Sequence, residues 1–165
     1  MPGWARAGRS IILVTAAAGL AACEQPDWLT RRDPLPPLPA WVDPLVGRPL
    51  AEAFQMAPDT ACIGNTEQVE ALYGGARPGA RLSGWGWDVQ GKAPPSRIII
   101  AGRDQRIAGG GESGRPRPDV AEARPEVDAE GTGWQAFTTL SEGEAVAYGV
   151  LADGARICKL GAIKL

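Results

Sequence analysis

From Ala61 onward the chain is a series of short apolar segments separated by turn residues, a pattern that builds sheets. Candidate strands are Ala61–Asn65, Gln68–Tyr73, Arg81–Val89, Arg97–Ala101, Arg106–Gly109, Trp134–Leu140, Glu144–Leu151 and Ala155–Leu160. Between them stand Gly74-Gly75, Gly79, Pro94-Pro95, Asp104-Gln105 and Asp153-Gly154, where a chain can reverse. Val146, Tyr148 and Val150 alternate onto one face of their segment. Ile98-Ile99-Ile100 is a β-branched run suited to a buried strand. One helical turn is expected at Asp119–Arg124, with Asp119 as its cap and Pro125 ending it. Residues 109–118, rich in Gly, Arg and Pro, read as a flexible loop. Many short strands at this spacing predict an all-β fold, an antiparallel β-sandwich.

The segment before that region is different. Pro26, Pro34, Pro36, Pro37, Pro39, Pro44 and Pro49 all fall within residues 24–49. Proline blocks both helix interiors and sheet ladders and favours extended polyproline II. The segment is expected to be a semi-rigid tether, reaching on the order of 80 Å when extended at ~3.1 Å per residue. Trp28 and Trp41 lie inside it, placed either to dock on the folded domain or a membrane interface, or to pack locally against prolines. Pro49 suits the first turn of a short helix over Leu50–Met56.

The N-terminal end carries Arg6 and Arg9 followed by an apolar run from Ile11 to Leu20, the layout of a secretory signal peptide. That run is too short to span a bilayer as a helix. It ends in Leu20-Ala21-Ala22-Cys23, which resembles a bacterial lipobox: an aliphatic residue, two small residues, then the cysteine that is lipidated before cleavage. The resemblance implies a lipoprotein with residues 1–22 removed, an acylated Cys23 and a Pro-rich linker over 23–49. The β-sandwich domain then occupies 50–165. The alternative is an ordinary cleaved signal followed by a leftover thiol. Glu24, where an inner-membrane lipoprotein of a Gram-negative cell commonly has Asp, resembles the outer-membrane default, on the periplasmic side.

Charge and cysteine content narrow the chemistry. Without Arg6 and Arg9 the 17 basic residues become 15 against 19 acids, a net charge of −4. Such a balance offers no footprint for nucleic acid. There is no histidine, hence neither the commonest general base nor the commonest metal ligand. No metal and no cofactor is expected. Cys62 and Cys158 are left as an isolated pair near the two ends of the domain. In an oxidising compartment such a pair should form a disulfide; two buried free thiols are the alternative.

A further set of residues carries a second resemblance. Cys62-Ile63-Gly64, Ser83-Gly84-Trp85-Gly86-Trp87-Asp88, Pro95 before Ile98–Ile100, Ile107-Ala108-Gly109 and Arg117-Pro118-Asp119-Val120 occur in that order. Gly133-Trp134, Ala147-Tyr148, Asp153-Gly154 and Cys158-Lys159-Leu160 follow. The ordered set, over roughly residues 60–162, is similar to an immunoglobulin-like β-sandwich module of bacterial envelope proteins. The resemblance implies a fold and a setting in the cell envelope, and no reaction.

Three groups of residues are candidates for a site. Trp85 and Trp87 are two apart on a strand and share a face, with Gly84 and Gly86 leaving the other face bare. They would form either a stacking platform for sugar rings or a core pair between sheets, and Trp134 carries the same two readings. Arg117 and Asp119 would either read a carboxylate and hydroxyls of a ligand or hold their own loop, with Asp119 capping the turn and Arg117 paired to an acid such as Asp88. No Ser-x-x-Lys and no facing carboxylate pair is legible, so no catalytic residue is expected.

These features lead to a lipid-anchored, non-enzymatic envelope protein, joined to a membrane by its acyl chains, whose sandwich binds or positions an envelope component. Glycan is the first candidate, through Trp85, Trp87, Asp88, Arg117, Asp119 and Trp134. A protein-docking lipoprotein that meets an envelope partner through an edge strand or apolar patch is the alternative. An enzyme is a distant third.

Overall fold

The computed structural model describes residues 32–165. Cys23, Trp28 and the signal-like segment lie outside the described residues.

Among the described residues eight strands form one sheet. They are β1 (Gln55–Met56), β2 (Cys62–Tyr73), β3 (Gly79–Asp88), β4 (Arg97–Gly102), β5 (Ile107–Arg115), β6 (Gly133–Thr138), β7 (Glu144–Val150) and β8 (Arg156–Lys164). Their order across the sheet is β1-β8-β7-β4-β5-β6-β3-β2. Every pairing is antiparallel except the short one of β1 with β8. The all-β, mostly antiparallel expectation holds. The division into two separate sheets, expected from the immunoglobulin-like resemblance, is not seen: the hydrogen-bonded ladder runs unbroken from β1 to β2.

The sheet curls until β2, at one edge, meets β8, which lies next to the other edge. Cys62 on β2 is disulfide-bonded to Cys158 on β8, with Cα atoms 5.8 Å apart, so the expected bridge is present. Just beyond it β2 and β8 approach so closely that a Cβ on Gly161 would lie 2.8 Å from the backbone nitrogen of Thr66. The inward faces of β2, β3, β4, β6, β7 and β8 enclose Leu82, Ile98, Ile100, Trp134, Ala136, Ala145, Ala147, Cys158 and Leu160. The interior is narrow because large side chains are seated over glycines. Leu160 fills the space where a Cβ of Gly64 or Gly86 would stand, and the Trp134 indole lies on Gly84.

Two differences from the expected strands have clear causes. The segments 61–65 and 68–73 are one strand, with a shift in register between Thr66 and Gln68. The Gly109-Gly110-Gly111 run is no flexible loop but the buried middle of β5. A Cβ on Gly109 or Gly111 would overlap the carbonyl oxygens of Phe137 and Gln135 on the neighbouring strand. Close strand approach, and not freedom, selects glycine there.

The outer wall of the sheet is covered in two places. Over β4, β7 and β8 lies a strap, residues 33–54, that includes a 3-10 turn at Asp43–Leu45 and the one-turn helix α1 (Leu50–Ala53). Val42 and Leu50 are buried against Ile99, Ala101, Ile107, Val146, Tyr148, Val150 and Ile157. The strap begins beside the β2–β3 turn, where the Leu35 N–H donates to the Arg77 carbonyl and the Gly74 N–H to the Asp33 carbonyl. It ends with the Leu50 N–H donating to the Gln105 carbonyl. Trp41 lies half-buried in the strap, with the Arg97 guanidinium 5.0 Å from its ring. The linker expected over 23–49 is thus, from Asp33 on, part of the domain: Leu35 and Val42 are only 3% and 0% exposed. The prolines keep the strap extended and out of the ladder; the apolar residues between them fasten it.

The second cover is a flap, residues 116–132, between β5 and β6. It contains the helix α2 (Pro118–Ala123) and lays Val120 and Val127 over Trp85 and Trp87. The Gly86 N–H donates to the Thr132 carbonyl and the Arg117 N–H to the Glu130 carbonyl, fixing both feet of the flap.

Candidate functional site

The structure sorts the candidate residues into core, turn and surface. Trp85 and Trp87 do share a face, as their spacing predicts, but that face lies under the flap: they are 8% and 2% exposed. Trp134 points into the interior at 0% exposure. None of the three offers a ring face to a ligand, which corrects the stacking-platform reading in favour of the core one. Burying an indole against valines is the stronger preference once a covering segment exists.

Asp88 is a turn residue. Its Oδ1 accepts from the N–H groups of Gln90 (3.0 Å) and Gly91 (2.9 Å), holding the chain where it leaves β3. This is local Asx-type bonding. It is not the partner of Arg117.

Arg117 is instead clamped by two other acids. Its Nε and Nη2 donate to both oxygens of Asp119 at 2.8 and 2.7 Å, and its Nη1 donates to Glu67 Oε2 at 2.7 Å. The loop-stabilising reading therefore holds, with different partners. Asp119 does not cap α2: the N-cap is Arg117, with Pro118 opening the helix and no side-chain cap bond. The paired carboxylates raise the Arg117 pKa, the hydrogen bond to Asp119 contributing most and that to Glu67 next. The same bond lowers the Asp119 pKa. A carboxyl held ionised in this way is the opposite of what a general acid needs.

Beside this clamp, the outer wall along β6 is left uncovered by strap and flap. A hollow of about 520 Å³ lies on its β3 side, lined by Glu67, Glu70, Ser83, Arg115, Arg117 and Gly133. A second, of about 370 Å³, lies on its β5 side, lined by Pro39, Glu112, Ser113, Arg115, Gln135 and Phe137. Arg115 borders both. Gln135 stands between them: its Nε2 donates to Glu70, and its Oε1 accepts from Arg115 at 2.6 Å. Glu70 also pairs with the Arg81 guanidinium at 2.9 Å. Half-buried Phe137 and Tyr73 close the lower end with ring centroids 6.4 Å apart.

Of the sequence candidates, Arg117 and Trp134 border this strip, Trp134 fully buried beneath it; Glu67, Glu70, Arg81, Arg115 and Gln135 were missed. Arg81 and Gln135 face outward by simple alternation on β3 and β6, as residues of any exposed sheet face do, while Glu67 and Glu70 stand at the register shifts of β2 and Arg115 at one in β5, where no period marks them. What singles them out is the absence of a cover, set by segments far away in sequence.

No protein-family model matches the chain, no curated protein shows significant similarity to it, and no solved structure significantly matches its fold.

Proposed function

We propose that this is a lipid-anchored, non-catalytic envelope protein whose β-domain binds or positions an envelope component, with glycan as the first candidate. The observation that carries the binding reading is the uncovered polar strip along β6, framed by the strap at Pro39 and by the flap at Arg117. The anchoring reading rests on the lipobox-like Leu20–Cys23, and the strap gives it a geometric consequence. With the chain fastened from Asp33, only about ten residues separate Cys23 from the domain, a reach of at most ~35 Å. The domain would thus work close to its own membrane, on the periplasmic side of the outer membrane in a Gram-negative cell.

The test is mass spectrometry of the mature N-terminus together with fractionation of Cys23→Ser. Acyl chains on Cys23, and release of the variant from membranes, support the anchor. An unmodified mature protein that is soluble from the start removes it.

A second reading, docking onto an envelope protein, is favoured by a hollow of about 650 Å³ between strap and β2–β3 turn. Leu35, Pro36, Leu38, Ala76 and Pro78 give it apolar walls, with Arg77 at its rim. Photo-cross-linking from Ala76 in intact cells would capture such a partner; no adduct at that position removes this reading.

A further inference from the structure

We infer that the strip along β6 is the ligand site itself, and that it takes a neutral, hydroxyl-rich glycan chain of at least two rings. The inference rests on the glycan reading above and narrows it to a place, a charge and a length.

Charge comes first. The strip is crowded with ionic groups, yet most are already engaged. Arg117 is held by Asp119 and Glu67, and Arg81 is held by Glu70. Arg115 hydrogen-bonds Gln135, while Glu112 supplies an acid on the same side of the strip. At Arg117 and Arg81 a phosphate or carboxylate ligand would have to displace a carboxylate from its guanidinium, and at Arg115 it would compete with the Gln135 side-chain carbonyl and meet Glu112 in the same hollow. A neutral polyol meets no such barrier. Its hydroxyls both donate and accept, and the strip offers carboxylate acceptors, guanidinium donors and, in Gln135, a group that does both.

Shape comes second. The floor on the β3 side is half-buried Ser83, a small residue over which a flat ring can approach the sheet, while Gly133 beyond it lies under the side chains of Arg115 and Arg117. Phe137 and Tyr73 supply a half-buried apolar surface at the lower end, of the kind on which the C–H face of a sugar packs.

Length comes third. Outward positions Gly133, Gln135 and Phe137 follow one another along β6, so the strip extends about 13 Å from the flap to the aromatic end at ~3.3 Å per residue. Each hollow is already within the size range of a small-molecule site, roughly 300–1,000 Å³. The two are arranged side by side with Gln135 between them, which suits a chain of rings and leaves a single ring in contact with only one half.

The experiment uses the intact protein in detergent micelles. Its probes are oligosaccharides released from the producing cell's envelope, separated by charge on an anion exchanger and then by ring number. The readout is the side-chain amide signal of Gln135 in a nitrogen-15 NMR spectrum, identified by its loss in Gln135→Glu. A saturable shift with neutral fractions of two or more rings, at least tenfold weaker with single rings, is expected. Arg115→Ala should weaken it at least tenfold while leaving the melting temperature within a few degrees.

Binding confined to acidic fractions would overturn the inference. So would a Gln135 signal unmoved by every fraction, or binding, read by titration calorimetry, that survives in both Arg115→Ala and Gln135→Ala. If instead these two variants abolish cross-linking to an envelope protein, the strip is a protein interface and the glycan assignment falls. Acylation of Cys23 is measured separately on the same preparation, so loss of the anchor reading and loss of the glycan site are distinguishable.

Discussion

Cys62 and Cys158, separated by 96 positions in sequence, are bonded across the line where the two ends of the sheet come together. β2 and β8 share no ladder there, so this bond is the covalent tie holding the sheet closed. A bridge closing so long a loop is worth up to about 4–5 kcal/mol in the chain-entropy model. Reduction, or Cys62→Ala with Cys158→Ala, should lower the melting temperature by on the order of 10 °C. Calorimetry with and without reductant checks this. An unchanged melting temperature would mean that packing of Leu160 over Gly64 and Gly86 closes the sheet unaided.

The interior glycines should differ sharply in their tolerance of a methyl group. At Gly86 the atoms nearest to a Cβ would be those of the Leu160 side chain, its methyls at 2.8 and 3.0 Å, and a flexible side chain can yield. At Gly84 it would overlap the Asn65 carbonyl oxygen and press on the Trp134 ring at 2.6 Å. Gly86→Ala should cost about 1 kcal/mol, and Gly84→Ala about 3 kcal/mol or more. Urea denaturation of the two variants gives the comparison; equal costs would contradict the packing.

The strap makes a prediction about boundaries. A chain beginning at Leu50 lacks Leu35, Leu38, Trp41 and Val42 and uncovers the outer faces of Ile99, Val146 and Tyr148. Compared with one beginning at Arg32, it should lose several kcal/mol of stability and bind an apolar dye, since each buried aliphatic side chain contributes about 1.5–3 kcal/mol. Equal stability of the two would show the strap to be a passenger.

The turn before β8 should resist acid. Asp153 Oδ1 accepts from the N–H groups of Arg156 (2.8 Å) and Ala155 (2.9 Å), and the Arg156 guanidinium binds Oδ2. The Arg156 backbone N–H contributes most and its side chain next, holding the carboxyl down at about 2 from an ordinary 3.8. Because the folded value is the lower one, the turn's contribution is present above pH 3.8 and fades as pH falls toward 2. A carbon-13 titration of the Asp153 carboxyl should show a midpoint near 2, tracked by the Ala155 amide. A midpoint near 4 would mean the turn is open in solution.

The sheet was legible because its signals are local. Turn residues at Gly74-Gly75, Asp104-Gln105 and Asp153-Gly154 cut the chain into strand lengths, and Val146, Tyr148 and Val150 declared their face. The pairing of Cys62 with Cys158 was expected once Cys23 was set aside for the lipid, leaving these two as an isolated pair. What escaped depends on distant neighbours. Gly109–Gly111 has no side chains to show a period, and its need for glycine comes from β6. Trp85 and Trp87 announced a common face, but the flap that covers it begins about thirty residues later. Prolines suggested a tether, while Leu35, Leu38, Trp41, Val42 and Leu45 among them were the sign of a docked segment. Arg117 is bound by Glu67, which comes from β2, and by Asp119 of its own loop, while Asp88 holds the turn after β3.

Leu160 seated on Gly64 and Gly86, and Trp134 on Gly84, have one more consequence. Many rolled sheets are vessels, with a cargo chamber at the centre and specificity set by its mouth. Here the centre is filled with side chains, and opening it would mean unseating Leu160 and the Trp134 indole from the glycines they rest on. Such a molecule has no hold in which to carry anything. A ligand of the kind proposed would lie against its outside, and a change of specificity would come from recutting the strap and flap that frame that surface.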